Sequence, residues 1–290
     1  PVDAIAGTSM GAVIGGLYAS GMTAAEIEAL VRTIDWNSAF HDHPPRSDLN
    51  FRRKQDDREY LVRFPLGIKA GKFRVPHGLI QGQKLTQILR RATISIAGIN
   101  DFDRLPTRFR AVATDLETGE RRVLASGDLT EALRASMSAP GVFAPVEVND
   151  RLLVDGGLVE NLPVDVAKEM GVDIVIAVDV GFQPVGRREL NSALAVSNQM
   201  LTIMMQRETE RQRELLVDRD VLIEPPLGTM LSLDFTVVDQ TVTHGVDGAR
   251  GQAARLAALS IDEAQWQQYV AARAAGDSTL PEIQFVRVDA

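Results

Sequence analysis

The chain has 290 residues, 45% of them hydrophobic and 24% charged, enough to bury a large core as one α/β domain or as one domain with a short annex. Its 39 acidic against 31 basic residues give a formal charge of -8, which repels nucleic acid and anionic membranes at long range, so nucleic acid is excluded as a partner and any lipid contact must be local and apolar. Without cysteine there are no disulfides, no thiolate catalysis and no cysteine-ligated metals, and no apolar run approaches the roughly 20 residues that cross a bilayer.

Taken in order, helix and strand signals alternate, which predicts a mostly parallel sheet covered on both faces. Val2 to Ala6 reads as a strand and Met10 to Ser20 as a helix ending at Gly21. Thr23 with Glu26 three residues on is a capping box for a helix up to about Ile34. Residues 41 to 80, with clustered Pro, Asp, Gly and Arg, read as an irregular surface excursion. Leu85, Ile88 and Leu89 mark an amphipathic helix, "FRAVATDL" a strand, and Thr130 the cap of a helix through about Met137. "RLLVDGG" ends a strand on two glycines, Pro163 and Gly171 frame a helix, and "DIVIAVDVG" has the composition of a buried parallel strand. A long helix from about Leu190 to Leu216, a strand at "VLIEP", helices from about Gly245 and a last strand "IQFVRV" complete the pattern. The division expected is one domain over residues 1–275, with a strand or linker over 276–290.

One stretch carries chemistry. Gly7-Thr8-Ser9-Met10-Gly11 is a Gly-x-Ser-x-Gly pentapeptide between a predicted strand and a predicted helix. A serine on such a sharp turn needs neighbours without Cβ two positions away on each side, and the first helix amides then point at the reacting oxygen. Any serine nucleophile needs a base. Of the four histidines, His41, His43 and His77 fall in the irregular excursion, and only His244 comes late enough for a Ser, Asp, His order. The other candidate is Asp155, which ends a strand and is followed by Gly156 and Gly157. A lone carboxylate is a weak base in water, but desolvation raises its pKa and a short hydrogen bond positions it.

Gly7 to Gly11, "ATDLETGE" (113–120), "ASMSAPGVFAPV" (135–146) and "LVDGGLVENLPV" (153–164) together resemble the successive blocks of bacterial patatin-like phospholipases, with "IAVDVG" and "VLIEPPLG" following in order. The resemblance implies a three-layer α/β/α sandwich with a mostly parallel central sheet. It places the nucleophile on Ser9 and the base on Asp155, 146 residues apart, as a dyad without histidine. The elbow and oxyanion positions fall on Gly7, Met10 and Gly11, and the dyad turn on Gly156 and Gly157. The implied reaction is hydrolysis of acyl esters of phospholipids or related lipids through an acyl-enzyme, with no cofactor and no metal. The family also carries a glycine-rich turn with a basic residue upstream of the serine. None occurs here before Pro1, so the expectation is that an intact protein begins earlier, with a first strand and that turn.

Phe143, Met137 and the group Met230, Leu231 and Leu233 are the candidates for an acyl pocket, and Asn161 for satisfying backbone groups at the dyad turn. Met200, Leu201, Ile203, Met204 and Met205 read either as a buried helix start or as a homodimer or membrane-facing patch. Some proteins of this kind are passengers of outer-membrane secretion systems, and the cysteine-free chain is compatible with a secreted or cell-surface location, with the cytoplasm as the alternative. Two other readings stay open: a Ser/Asp/His esterase or thioesterase using His244, and a catalytically silent lipid-binding module.

Overall fold

The computed structural model describes residues 1–40, 51, 67–69, 72–74, 80–181, 184–228 and 237–274. The chain runs through β1 (Ala4–Thr8), α1 (Met10–Ala19), α2 (Ala24–Thr33), the short α3 (Trp36–Ala39) and an antiparallel pair, β2 (Gly67–Lys69) and β3 (Lys72–Arg74). Next come α4 (Gln83–Ala92), β4 (Arg108–Asp115), β5 (Arg121–Leu124), α5 (Leu129–Ser136), β6 (Val146–Val148) and β7 (Arg151–Asp155). The remainder is α6 (Val164–Glu169), β8 (Ile176–Val178), α7 (Ala193–Glu214), β9 (Val221–Ile223), α8 (Val238–Gly251), α9 (Ala253–Ala257) and α10 (Glu263–Ala274).

Local chemistry explains most boundaries. At the start of α2 the Thr23 hydroxyl accepts from the Glu26 amide while the Glu26 carboxylate accepts from the Thr23 amide at 2.8 Å, a complete capping box. The cap of α5 is Asp128, whose carboxylate accepts from the Glu131 amide, and not Thr130. A carboxylate accepts helix amides better than a hydroxyl that is engaged elsewhere, and the Thr130 hydroxyl is buried against that of Thr93 at 3.0 Å. The long helix begins later than its apolar pattern suggests, at a cap from Ser192 to the Ala195 amide.

The fold is a three-layer α/β/α sandwich whose central sheet is mixed. β1 pairs with β4 in parallel, while β5 and β7 pair with β4, and β6 with β7, antiparallel. Short connections require this: β6 and β7 are joined by Asn149 and Asp150, both at positive φ (50° and 59°), the backbone of a two-residue hairpin turn. The register has a further consequence. β1 and β5 both pair with Ala111 and Val112, so they lie on opposite edges of β4, and β5 and β7 both pair with Ala113 and Thr114, so they too lie on opposite edges. β1 and β7 therefore share one edge of β4. They run towards each other and meet where Thr8 pairs with Val112 and Asp155 with Ala113.

Helix α1 packs Ala12, Val13 and Leu17 into the core over one face of the sheet and has glycines at its two closest approaches. A Cβ on Gly15 would stand 2.7 Å from the Ile5 side chain, and one on Gly16 2.6 Å from Leu133 of α5. Phe102, Phe109, Ala111 and Leu133, all fully buried, fill this layer. On the other face Arg108 donates to the Met170 carbonyl just past α6 at 2.9 Å, and the Asp165 amide donates to Gln212 of α7 at 3.0 Å. The parallel pair β8–β9 differs from the buried strand its sequence predicts. Ala177 is buried, but Ile176 and Val178 are 43% and 49% exposed, while their β9 partners Val221 and Ile223 are buried, so on this face packing covers β9 and leaves β8 open.

Candidate active site

The meeting of β1 and β7 places Ser9 beside Asp155. Ser9 follows β1 directly and is the N-cap of α1, at φ 55° and ψ -126°, a sparsely populated conformation for a residue with a side chain. Gly7 is a steric requirement of that turn, since its Cβ would lie 2.6 Å from the Gly11 carbonyl oxygen. Gly11 is not: a Cβ there meets nothing within 4 Å, so only the glycine before the serine answers to the steric argument. The first amides of a helix have no intrahelical acceptor, which leaves the Met10 and Gly11 N–H groups at the head of α1 beside the serine.

Ser9 Oγ donates to Asp155 Oδ2 at 2.5 Å. The other carboxylate oxygen accepts from the Gly157 amide at 2.8 Å, and the Asp155 carbonyl accepts from the Thr114 hydroxyl at 2.8 Å. Asp155 is 9% exposed. Burial pushes its pKa up from 3.8 to about 6, partly offset by the Ser9 and Gly157 hydrogen bonds that favour the charged form. Gly156 and Gly157 are both constrained: a Cβ on Gly156 would be 2.3 Å from the Val112 carbonyl oxygen, and one on Gly157 would be 2.8 Å from Met205 of α7 and 3.2 Å from the Asn161 side-chain oxygen.

Ser136 at the end of α5 and Ser138 just past it hold this junction; both lie in the block "ASMSAPGVFAPV", where the sequence alone assigns them no role. The Ser136 hydroxyl, wholly buried, accepts from the Ser9 amide at 3.0 Å and donates to the Val112 carbonyl at 2.6 Å. Two residues on, the Ser138 carbonyl accepts from the Asp155 amide at 3.0 Å. One short segment thus fixes the backbone under both members of the pair. Membership of that block does not reveal which backbone groups the two serines hold, because their partners are distant in sequence.

Behind the turn lies a second carboxyl. The Glu160 carbonyl accepts from the Thr8 hydroxyl at 2.8 Å, tying the turn to β1, while its side chain, 3% exposed, takes a hydrogen bond from Arg121 at 2.6 Å. Arg121 also reaches Asp165 at 2.6 Å, and Glu160 Oε1 is buried without a hydrogen-bond partner. Burial, and then the hydrogen bond to Asp165, push the Glu160 pKa to about 8 against the pull of Arg121.

The remaining candidates separate. His244 sits inside α8 rather than at a helix start, and the direct contact between Ser9 and Asp155 leaves no space for an imidazole between them. His41, His43, His77, Met230, Leu231 and Leu233, and the strand expected at "IQFVRV", lie outside the described residues. Met137 is buried beside the elbow, whereas Phe143 packs on Phe40 and under the Arg134 guanidinium, with ring and cation centres 5.3 and 4.6 Å away. The start of α7 is not buried as its apolar density suggests: Val196, Met200, Ile203 and Met204 are exposed, and Met205 turns inward against Gly157.

A hydroxyl hydrogen-bonded to a desolvated carboxylate, at the head of a helix, has the parts that nucleophilic attack on an acyl group needs. Comparison with known proteins points the same way. The family model described as patatin-like phospholipase matches residues 1–168, which include both Ser9 and Asp155. An NTE family protein of Mycobacterium tuberculosis, named as uncharacterised, is 32% identical over 182 residues, 63% of this chain and 42% of that protein. Patatin-like phospholipase domain-containing protein 7 of the rat is 30% identical over 183 residues, 62% of this chain and 12% of that protein. A patatin-like phospholipase domain-containing protein of Caenorhabditis elegans is 32% identical over a stretch of the same length. The chain thus spans less than half the length of these relatives. With the family model matched over more than half of the sequence, the chain belongs to the patatin-like phospholipase family.

Proposed function

We propose that the protein is a lipid acyl hydrolase, of phospholipase A or lysophospholipase type, working through an acyl-enzyme on Ser9 with Asp155 as the base. The observation that carries this reading is the 2.5 Å hydrogen bond from Ser9 Oγ to Asp155 on a strained turn at a helix start. Asp155 Oδ2 takes the hydroxyl proton as Oγ attacks the ester carbonyl, and the oxyanion gathers at the Met10 amide. When the intermediate collapses, the alcohol leaves with the proton that Asp155 held, and the acyl group stays on Ser9. Water then attacks the acyl-enzyme, again losing a proton to Asp155, and the fatty acid is released with Ser9 restored.

A direct hydrogen bond supports a dyad over a triad through His244, because a carboxylate already in contact with the nucleophile needs no relay. The exposed apolar residues at the start of α7, on the helix whose Met205 abuts Gly157, support peripheral contact with the lipid surface that carries the substrate. The test is intact-mass analysis after exposure to a fluorophosphonate, on the unaltered chain and on Ser9→Ala. A single adduct on Ser9, absent in the variant, is the expected result; an unlabelled chain, or equal labelling of both, overturns the assignment.

A further inference from the structure

Asp155 is backed by a helix as well as by its own strand. Three atoms converge on the point that a Cβ of Gly157 would take: the Met205 methyl group at 2.8 Å, Asp155 Oδ1 at 3.1 Å and Asn161 Oδ1 at 3.2 Å. Two of the three are acceptor oxygens, and Asp155 Oδ1, which takes a hydrogen bond from the Gly157 amide, has room for a second. A space bordered by two such oxygens holds water when it is large enough. Here a methyl group stands beside them instead. Helix α7 holds it firmly in place: Gln199 exchanges hydrogen bonds with the amide and the carbonyl of Val185 at 3.0 and 3.1 Å, Gln212 accepts from the Asp165 amide at 3.0 Å, and Arg213 donates to Asp179 at 2.7 Å. Met205, Thr209 and Gln212 recur at helical spacing on the inward side of α7, the last two buried. Of these three only Met205 is apolar, and it is the one that meets the dyad turn.

We propose that Met205 is a positioning residue for the base, its methyl group keeping water off Asp155 Oδ1 and holding the Gly157 amide against that oxygen. This rests on the reading of Asp155 as the base. Among the described residues the groups packed about Asp155 are neutral on every side: Ser9 at the head of α1, Thr114 of β4, Gly157 and Asn161 of its own turn, and Met205 of α7. Glu160, on the same segment, is turned to Arg121. No charged side chain therefore sets the basicity of Asp155, and burial alone raises its pKa to about 6 against two hydrogen bonds that lower it. Whatever excludes water from the carboxylate is then what makes it a base near neutral pH. Ser9 and Gly157 each occupy one oxygen by a hydrogen bond, which favours the charged form, whereas the Met205 methyl offers Oδ1 no donor at all. The long unbranched side chain of methionine reaches the turn where an alanine on the same helix would not.

The test is the titration of Asp155 in Met205→Gln and Met205→Ala. Glutamine fills nearly the same volume but brings an amide donor to Oδ1, and alanine admits water, so in both the acid inflexion of kcat/KM on a short-chain ester is expected to move down from about 6 by about half a unit or more. The rate at pH 5, relative to its own plateau, then rises. Met205→Leu keeps the space apolar and should leave the inflexion where it was, which separates exclusion of water from support of the fold. Met205→Gln leaves no cavity and decides the matter alone if Met205→Ala does not fold. An inflexion unmoved in Met205→Gln, or moved as far in Met205→Leu, overturns the proposal. The protonated carboxyl band of Asp155 in infrared difference spectra, identified by its loss in Asp155→Asn, gives the same titration without turnover. A band whose titration shifts in Met205→Gln, in a chain whose Ser9 takes no fluorophosphonate label, upholds the role of Met205 beside Asp155 and refutes the hydrolase reading. A band that does not shift refutes that role whatever Ser9 does.

Discussion

The two ends of the segment from Asp155 to Glu160 each bury a carboxyl, and both carboxyls are pushed upward, Asp155 to about 6 and Glu160 to about 8. Their surroundings differ. Asp155 meets a neutral hydroxyl and a backbone amide, with both oxygens engaged. Glu160 meets a cation and another carboxylate and leaves one oxygen without a partner. A raised pKa therefore marks burial at both ends, and only contact with Ser9 distinguishes the base from a structural acid. The larger perturbation belongs to the residue that does not touch the nucleophile.

The comparison can be broken most directly by substitution. Ser9→Ala and Asp155→Asn are expected to lower kcat by about 1,000-fold or more, as removal of a nucleophile or its base does. Glu160→Gln should cost less than about tenfold, because it changes no group in contact with Ser9. Equal losses at 155 and 160, measured on a short-chain ester, would erase the distinction.

The pH–rate profile sharpens it. Only ionised Asp155 can accept a proton, so kcat/KM should fall about tenfold per unit below pH 6 and level off above it. The inflexion should stay in place in Glu160→Gln. An inflexion that followed Glu160, near pH 8, would exchange the roles of the two carboxyls.

A smaller effect is expected at Ser136. Ser136→Ala leaves the partly buried Ser9 amide without its acceptor, with an expected cost of about 1 kcal/mol in stability and about tenfold in the rate of Ser9 labelling. Ser136→Thr, which keeps the hydroxyl, should recover labelling if it packs. A rate unmoved by Ser136→Ala would show that the Ser9 backbone holds itself.

The smallest effect is the linkage of Glu160 to stability. Its folded pKa lies above the unfolded value of 4.5, so between that value and about 8 the folded chain holds a proton that the unfolded chain has lost. The associated stability is complete below 4.5 and declines as pH rises through about 8. The midpoint of thermal unfolding should thus drop between pH 6 and pH 9, and Glu160→Gln, neutral throughout, should flatten the drop.

What could be read from the sequence was whatever is encoded locally. The Thr23–Glu26 capping box and the Gly7–Ser9 turn are short, and their physics is contained in a few residues. The mixed sheet was also written locally, in Asn149 and Asp150, but these are less familiar as a hairpin turn than Asn-Gly, and the alternation of helix and strand favoured a parallel sheet instead. The exposure of Ile176 and Val178 in β8 is not legible in the sequence, because an apolar strand records its own composition and not what covers it. Ser136 was out of reach for a related reason: its partners, Ser9 and Val112, lie 127 and 24 residues away, and a hydroxyl at a helix end looks the same whether or not it holds them.

Because β1 and β7 close on a shared edge of β4 from opposite directions, no local segment contains the site. Ser9 and Asp155 lie 146 residues apart, and each is placed by pairing with a strand intermediate between them in sequence. Contacts of such long range come late in folding, after the entropy of closing the intervening loops has been overcome. A nascent or partly refolded chain thus carries its serine without the carboxylate beside it, and competence to react arrives with the final docking of the two strands on β4. In refolding, the return of Ser9 labelling marks the completion of the tertiary structure, later than the return of helical signal.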